Sequence, residues 1–378
     1  MLLAALGLVT ILQLLFWHLV SRVALAQHGP RPPSRACATS SRALATPPPP
    51  AAPPVSVIVC FRNEATHLEA TLRALLSQDY PAFEVLAVDD NSTDASAAIV
   101  RYLQRGNANL RLLQPGPTRP GKRDALAAGI QAASHSLLLL TDADCTPASD
   151  RWLRLMTAPL TQGKELVLGC SPYRYAPGPL AWWQRFEATY TVLQYQGLAR
   201  RGLPYMGVGR NLAYHRDFFV RSGGFTQPAD LAGGDDDLLV NRAARPAHTA
   251  CVTDPTAWTY SEPTPTLGSY LRQKWRHQSA GAQYRPLHRW LLAGLALTHG
   301  LFYLLGTYLL LTGVWVALLC YLARAAAVLG TFCQPRVTQF FQGGAPRAYG
   351  AAILVADLLL APYYVFLLAV SVVPRRKW

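Results

Sequence analysis

The sequence predicts an α/β fold with a doubly wound, mostly parallel sheet of Rossmann-like kind, flanked at both ends by membrane-spanning helices. From Val55 onward, short apolar runs typical of buried strands alternate with segments whose apolar residues recur at helical spacing. The chain is 51% hydrophobic and only 15% charged, which is too apolar for an ordinary soluble enzyme. The apolar excess lies at the two ends of the chain, which predicts that the ends lie in a membrane.

The expected elements come in a regular order along the chain. The strands are predicted at 55–60, 83–88, 110–113, 137–140 and 165–169, and the helices at 64–77, 94–105 and 121–133. No Gly-x-Gly-x-x-Gly motif comes after the first strand, so a dinucleotide cofactor is not indicated. The aromatic-rich stretch 179–201 is expected to be a helix that either packs in the core or lies at a membrane interface.

The first 21 residues carry no Asp, Glu, Lys or Arg and are long enough to span a membrane. Four arginines lie after this stretch and none precedes it, which favours an uncleaved anchor over a cleaved signal peptide and places the next part of the chain in the cytoplasm. The predicted organisation is an anchor at 1–26, a Pro-rich linker at 27–54, a catalytic domain at 55–284 and a membrane region at 287–378. The basic residues around the last two or three helices give conflicting indications of their orientation.

The net charge of +14 suits an anionic membrane surface or anionic substrates. Nucleic acid is not an expected partner, because the sequence contains no basic run or nucleic-acid-binding motif. The seven cysteines form no Cys-x-x-Cys pair, so neither a zinc site nor a disulfide framework is indicated. This cysteine usage agrees with a reducing cytoplasm.

Acidic residues cluster at the ends of predicted strands or at the starts of predicted helices. The four clusters are Asn63-Glu64, Asp89-Asp90, Asp142 with Asp144, and Asp235-Asp236-Asp237. Repulsion among so many carboxylates must be offset by cations or ligand donors. Asp142 and Asp144 end a buried strand, and closely spaced carboxylates suit Mg²⁺ or Mn²⁺, which bridge to diphosphate oxygens. The pattern therefore predicts a site for a nucleotide and a divalent metal.

Seven motifs in order carry a resemblance to a known family. They are VSVIVCFRNE from Val55, SQDYPAFEVLAVDDNSTD from Ser77, GKRDALAAGI from Gly121, TDAD from Thr141, GRNLAY from Gly209, GGDDDLL from Gly233 and QKWRH from Gln273. The sequence resembles glycosyltransferase family 2, the inverting GT-A group that includes cellulose, chitin and hyaluronan synthases. The resemblance covers 55–284 and implies metal-dependent transfer of a sugar from a nucleotide-diphosphate sugar, with UDP as the expected nucleotide.

The resemblance implies a role for each matching residue on the donor side. Glu64 and Asp90 match positions that contact the nucleoside, and Lys122 matches a basic position near the donor. Asp142 and Asp144 match the DxD motif, in which the second carboxylate binds the metal and the first supports the ribose or the metal.

The remaining positions belong to the catalytic base and to the acceptor and diphosphate side. Asp235 matches the catalytic base, but Gly234 replaces the acidic residue expected before it, so Asp236 is an alternative base. Gln273 and Arg276 match the QxxRW motif of the family, with His277 in place of Trp. Sugar transfer needs a base because the acceptor hydroxyl loses a proton as it attacks the anomeric carbon.

Several interpretations remain open from the sequence. Asn211 and Tyr214 either line the acceptor side or are packed in the core, and Asp237 is expected to be an N-terminal helix charge. The expected acceptor is a hydroxyl group of a membrane lipid or a growing polysaccharide, at the cytoplasmic face of the cell (inner) membrane. The alternatives are a polyprenyl-phosphate glycosyltransferase and a non-catalytic nucleotide-binding membrane scaffold. The acidic triplet and the pair Gln273 and Arg276 favour the hydroxyl acceptor, because a phosphate needs less help from a base.

Overall fold

A mixed seven-stranded sheet forms the centre of the protein, and the computed structural model describes residues 1–18, 52–119, 122–225, 235–341 and 346–372. Its strands are β1 (Val55–Phe61), β2 (Phe83–Asp89), β3 (Leu110–Leu113), β4 (Leu137–Asp142), β6 (Leu166–Leu168), β7 (Leu212–His215) and β8 (Thr249–Cys251). Strands β5 (Thr146–Pro147) and β9 (Thr259–Tyr260) pair separately in antiparallel orientation. The order in the large sheet is β3-β2-β1-β4-β7-β6-β8.

The four strands β3, β2, β1 and β4 run parallel, as the alternation of strands and helices predicts. The chain adds β2 and β3 on one side of β1 and then returns to add β4 on the other side. Ligands bind at such a reversal of strand order, in the crevice outside the carboxyl ends of the strands. β7 pairs antiparallel with both β4 and β6, so the sheet is mixed rather than wholly parallel.

Helices cover both faces of the sheet. They are α2 (Leu68–Leu76), α3 (Ser96–Gln104), α4 (Arg123–Ala132), α5 (Trp152–Thr161), α6 (Pro179–Arg200), α7 (Arg216–Arg221), α8 (Asp235–Ala243) and α9 (Leu267–Gly281). Helix α4 lies close against the sheet, since a Cβ atom on Gly129 would lie 2.8 Å from Ile58 Cγ2 and 2.9 Å from Val88 Cγ2. The approach of this helix therefore depends on a glycine at that position.

Helix α6 is buried along most of its length, so its aromatic residues are core rather than interfacial. The Tyr195 hydroxyl donates to the Gly169 carbonyl at 2.6 Å, and the Gln196 amide donates to the Leu168 carbonyl at 3.1 Å. On another side of the helix, Tyr190 contacts the rings of Phe16 and Trp17. Helix α6 thus joins the sheet to the apolar ends of the chain.

The apolar ends form α1 (Leu2–Phe16), α10 (Pro286–Leu311), α11 (Ala317–Phe332), α12 (Pro335–Phe341) and α13 (Pro346–Val372). Among the described residues, 286–311 and 349–367 are long and apolar enough to cross a membrane, and α11 with α12 makes a third candidate bent by 77°. Helix α1 is shorter than a full span. The remainder of the predicted anchor and nearly all of the predicted linker lie outside the described residues.

An ion pair lies fully buried where four of these helices meet. Arg324 donates to Asp357 at 2.9 Å, to Gln13 at 2.5 Å and to His299 at 2.9 Å, which links α11 with α13, α1 and α10. Asp357 also accepts a hydrogen bond from the Tyr303 hydroxyl at 2.5 Å. Buried charges require such partners, because an unpaired charge away from water is very costly.

Element boundaries differ from prediction mainly at helix starts. The expected helix at 64–77 begins at Leu68, and the expected helix at 94–105 begins at Ser96. The preceding residues form turns: the Ser96 hydroxyl accepts from the Glu64 amide at 2.9 Å, and Asp94 accepts from the Ser96 amide at 2.9 Å. Asp94 is therefore a turn residue rather than the first residue of the helix. Strand β7 begins within the GRNLAY motif, for which the sequence predicted no strand, and ends at His215.

Candidate active site

A cleft of about 610 Å³ opens at the carboxyl ends of β1, β2 and β4, beneath helices α8 and α9. The structure brings every residue that the sequence proposed for the site into its wall. These residues are Glu64, Asp90, Lys122, Asp142, Asp144, Asp235, Asp236, Gln273, Arg276 and His277. Residues from positions 64 to 277 thus converge on one cavity, although their individual roles remain predictions.

Two asparagines in the left-handed backbone region shape the loops after β1 and β2. Asn63 has φ +56° and Asn91 has φ +60°, a conformation that asparagine tolerates better than most residues. The side-chain oxygen Oδ1 of Asn63 accepts from the Thr93 backbone amide at 2.8 Å, which joins the two loops. Glu64 and Asp90 lie beside these turns and line the cleft.

The neighbours Asp89 and Asp90 have different environments. Asp89 accepts hydrogen bonds from the Ser92 amide at 2.8 Å and from the Gln114 amide at 2.9 Å, so its carboxylate fixes the turn after β2. Asp90 accepts from the Thr118 hydroxyl and lines the cleft. Of this pair, Asp90 is therefore the residue placed to contact a ligand.

Asp142 ends β4, and Asp144 lies one residue beyond it. The ligand atoms of Asp142, Asp144 and Cys145 lie within 4.8 Å of one another. Burial and the adjacent Asp144 charge raise the pKa of the Cys145 thiol well above its ordinary value, so the sulfur keeps its proton. The ligands offered at neutral pH are therefore carboxylate oxygens, which suit Mg²⁺ or Mn²⁺ rather than a soft metal.

The carboxylates around this position repel one another. Partial burial, and next the charge of Asp144, raises the pKa of Glu64. A divalent cation between the carboxylates would relieve this repulsion, so the donor set fits the predicted metal.

Lys122 links the two acidic sides of the cleft. Its Nζ atom lies 2.8 Å from Asp142 Oδ1 and 3.5 Å from Asp236 Oδ2. Loss of hydration alone would lower the pKa of Lys122, but the two carboxylates outweigh it and raise that pKa well above its ordinary value. For Asp142, burial acts to raise the pKa, yet the Lys122 charge prevails and lowers it. Lys122 therefore stays charged and keeps Asp142 ionised.

The two candidate bases have contrasting partners. Asp235 Oδ1 lies 2.7 Å from Arg123 Nε, and both side chains are buried. Asp236 Oδ1 has no hydrogen-bond partner in the part of the chain that the structure describes. Burial, and next the Asp235 charge, raises the pKa of Asp236 despite the opposing effect of Lys122. The Asp235 carboxylate is engaged by Arg123, whereas Asp236 has an oxygen without a partner among the described residues, so the geometry favours Asp236 as the base.

Gly209 makes room for the Asp236 carboxylate. A Cβ atom at position 209 would lie 1.7 Å from Asp236 Oδ2, which is far inside van der Waals contact. The next carboxylate, Asp237, also lines the cleft, and burial together with the Asp236 charge raises its pKa to about 7. Asp237 lies in the first turn of α8, as expected, but with this pKa its carboxyl group is only partly ionised at neutral pH.

Helix α9 forms part of the cleft wall. Gln273, Arg276 and His277 are spaced by three and four residues, so they share one face of this helix. Loss of hydration in the cavity wall, and next the charge of Lys274, holds the pKa of His277 well below its usual range. His277 is therefore a neutral, polar residue at the position where the family pattern has Trp.

Besides Arg62, two cations that line the cleft, Arg210 and Lys274, were not predicted from the sequence. Arg210 lines the cleft, donates to the Ser261 hydroxyl at 2.6 Å and lies 5.0 Å from the ring centre of Tyr173. Lys274 lines the cleft from α9. Both residues belong to motifs that the sequence did show, GRNLAY and QKWRH, so their motif membership was the available signal.

Asn211 and Tyr214, whose roles the sequence left open, are packed in the core. Asn211 donates to the carbonyls of Cys170 and Ala257, each at 2.8 Å, and accepts from the Trp152 indole at 3.0 Å. Tyr214 is fully buried, and neither residue lines the cleft. These two residues therefore support the site without facing it.

Comparison with known proteins identifies the central segment. Residues 56–222 match the family model described as glycosyl transferase family 2. Glycosyltransferase AglE of Haloferax volcanii is 30% identical over 194 residues, which are 50% of this chain and 61% of that protein. A poly-beta-1,6-N-acetyl-D-glucosamine synthase of Staphylococcus epidermidis is 32% identical over 90 residues, which are 24% of this chain and 21% of that protein. The chain therefore spans less than two thirds of either relative.

One solved structure resembles nearly the whole chain. The mannosyltransferase PcManGT from Pyrobaculum calidifontis, in complex with GDP-Man and Mn²⁺, superposes with a TM-score of 0.55 over 96% of this chain and 97% of that one. The sequence identity is 22%, so the likeness shows the fold, which is GT-A. The α/β fold class expected from the sequence is confirmed.

Proposed function

Because residues 56–222 match the model of glycosyl transferase family 2, we propose that the protein transfers a sugar from a nucleotide-diphosphate sugar to an acceptor hydroxyl, with inversion at the anomeric carbon. The observation that carries this proposal is the convergence of Asp90, Lys122, Asp142, Asp144 and Asp236 on one cleft at the switch point of the sheet. That cleft combines a place for a nucleotide, oxygen ligands for a cation and a carboxylate with a raised pKa.

The donor half of the cleft fits a metal-bound nucleotide diphosphate. Glu64 and Asp90 line the cleft and would contact the nucleoside, and Asp142 and Asp144 would hold Mg²⁺ or Mn²⁺. The bound ion supplies Lewis-acid neutralisation of the leaving diphosphate. Arg210 adds a fixed positive charge to the same cavity. UDP remains the expected nucleotide from the family, while the neighbour PcManGT was solved with GDP-Man, so nucleotide choice is part of the test.

On the acceptor side, we infer that Asp236 is the base. The acceptor oxygen forms its bond to the anomeric carbon, and its proton passes to the Asp236 carboxylate. The bond between the anomeric carbon and the β-phosphate oxygen breaks, and the nucleoside diphosphate leaves with that electron pair. Attack from the face opposite the leaving group inverts the anomeric configuration. Lys122, near both Asp142 and Asp236, balances charge on either side of the reacting centre.

We further propose that this reaction takes place at the cytoplasmic face of the cell (inner) membrane. Two candidate spans, in α10 and α13, lie in the region that follows the catalytic domain. Four arginines lie after the uncharged N-terminal stretch, which favours a cytoplasmic position for the next part of the chain. An acceptor carried by a membrane lipid or by a growing polysaccharide is consistent with this location.

A panel of nucleotide sugars tests the proposal. The purified full chain is incubated with each sugar in Mn²⁺ or in EDTA, and nucleoside diphosphate release is measured with and without membrane lipid extract. Release that needs both the metal and one class of nucleotide sugar supports the proposal. Tight nucleotide binding without release under every condition would indicate a non-catalytic scaffold. Nucleoside diphosphate release only with added polyprenyl phosphate would indicate that the acceptor is a phosphate group rather than a hydroxyl group.

A further inference from the structure

Two neighbouring faces of helix α9 contact different parts of the protein. The first face carries Gln273, Arg276 and His277, which line the cleft. The second face carries Tyr270 and Lys274, one helical turn apart, and both reach the same carboxylate on α6, that of Glu187. Lys274 lies at the boundary, because it lines the cleft as well.

Both oxygens of Glu187 are engaged, and the residue is only 9% exposed. Glu187 Oε2 lies 2.5 Å from Lys274 Nζ and accepts from the Tyr270 hydroxyl at 2.7 Å. Glu187 Oε1 accepts from the Tyr363 hydroxyl at 2.6 Å. Trp183, one turn earlier on α6, donates its indole N–H to the Tyr270 oxygen at 2.8 Å. One carboxylate therefore joins α6, α9 and α13.

These contacts resist rotation of α9 about its own axis. Hydrogen bonds to a charged group are stronger than those between neutral groups, and a buried carboxylate is costly unless its partners stay in place. Tyr270 and Lys274 fix two positions on the helix, so the angular position of the neighbouring face is fixed with them. A small turn of α9 would displace Arg276 and Gln273 relative to Asp142 and Asp144.

We propose that Glu187 is a positioning residue that holds α9 so that its cleft-facing side chains meet the donor diphosphate, and that Tyr363 ties this contact to the membrane helix α13. The inference rests on the proposed function and adds to it that Gln273 and Arg276, which line the cleft, face that diphosphate. Glu187 acts through Lys274 and Tyr270 and does not itself line the cleft.

The test compares nucleotides with and without the second phosphate. Affinities of UDP, GDP, UMP and GMP are measured by calorimetry with Mn²⁺, using the full chain in lipid nanodiscs. The wild-type protein should bind its preferred diphosphate more tightly than the matching monophosphate. Glu187→Gln should weaken diphosphate binding by about tenfold while monophosphate binding changes little, because only the β-phosphate contacts depend on α9. Tyr363→Phe, which removes a single hydroxyl, should shift the ratio in the same direction by less.

A matched control is Glu84→Gln. Glu84 is also a buried carboxylate, accepts from the Ser56 hydroxyl at 2.6 Å and from Arg111 at 2.8 Å, and lies near the opposite end of β1 from the cleft. This variant should lower thermal stability without changing the diphosphate-to-monophosphate ratio.

Each result has a defined meaning. A wild-type protein with no preference for diphosphate would contradict the proposed function itself. A wild-type preference that persists in both Glu187→Gln and Tyr363→Phe would overturn the positioning role. An equal change of the ratio in Glu84→Gln would also overturn it, because the effect would then reflect general destabilisation. If Glu187→Gln does not fold, the diphosphate-to-monophosphate affinity ratio of Tyr363→Phe alone tests the positioning role.

Discussion

Exchanging the two neighbouring carboxylates of α8 for amides should produce two different defects. In Asp236→Asn the side chain keeps its size but cannot accept a proton at neutral pH. Loss of a general base lowers turnover by roughly 10²–10⁴-fold. Donor affinity should persist, because Asp90, Asp142 and Asp144 remain in place.

Asp235→Asn should act mainly on stability. It removes the charge that faces Arg123 Nε at 2.7 Å, in a pair whose side chains are 8% and 10% exposed. Hydrogen bonds to charged groups contribute about 1.5–3 kcal/mol, and the amide oxygen still accepts one from Arg123. We therefore expect a loss toward the lower end of that range, with turnover per folded molecule largely retained.

The assay measures nucleoside diphosphate release at saturating donor, nucleotide affinity by calorimetry, and unfolding of both variants in urea. Folded protein is quantified before turnover is calculated, so that instability is not read as lost catalysis. If Asp235→Asn abolishes turnover while Asp236→Asn remains active, the base is Asp235, as the family register first suggested. Near-normal turnover in both variants would refute the base mechanism altogether.

Three further predictions concern the metal, pH and the membrane region. EDTA should abolish sugar transfer, and Asp144→Asn should weaken Mn²⁺ and diphosphate binding together; full activity in chelator would exclude a metal role. Because the pKa of Asp237 is about 7 in the folded protein and near 4 when unfolded, the folded state binds the extra proton and stability should fall as pH rises from 4 to 7. Asp237→Asn should flatten that part of the urea-unfolding profile, and an unchanged slope would refute the assignment. Asp357→Asn leaves Arg324 buried without its counter-charge and should cost about 3–5 kcal/mol, seen as a lower thermal midpoint in nanodiscs, whereas an unchanged midpoint would contradict the buried pair.

The sequence was sufficient for the parallel half of the sheet. Strands β1, β2 and β4 are nearly continuous apolar runs because both faces of a parallel sheet are covered, and such runs are visible without a structure. Strand β7 contains only four residues, and its pairing with β4 and β6 depends on how the chain folds back between them. The position of β7 in the sheet therefore could not be predicted from the local hydrophobic pattern of the sequence.

The candidate site also has features that the sequence predicts and features that only the structure shows. Carboxylates that end adjacent parallel strands must meet at one edge, so Asp90, Asp142 and Asp144 were predictable as a group. The ranking of Asp235 and Asp236 was not, because it depends on Arg123, which is 112 residues away in the chain. Likewise, Asn211 belongs to a recognisable motif, but only the packed structure shows that its amide bonds the carbonyls of Cys170 and Ala257.

Helix α6 contacts both the cleft and the helices of the membrane region. Tyr195 lines the cleft and bonds the end of β6, Tyr190 contacts the rings of α1, and Glu187 receives Tyr363 from α13. A catalytic domain cut after Gly281 would keep the sheet and every carboxylate of the donor half, but Glu187 would lose its Tyr363 partner. Nucleoside contacts at Asp90 would survive such a cut, whereas contacts made from α9 would weaken. The orientation of the side chains on α9 is therefore expected to depend on the membrane helices, while the carboxylates at the strand ends are positioned by the sheet.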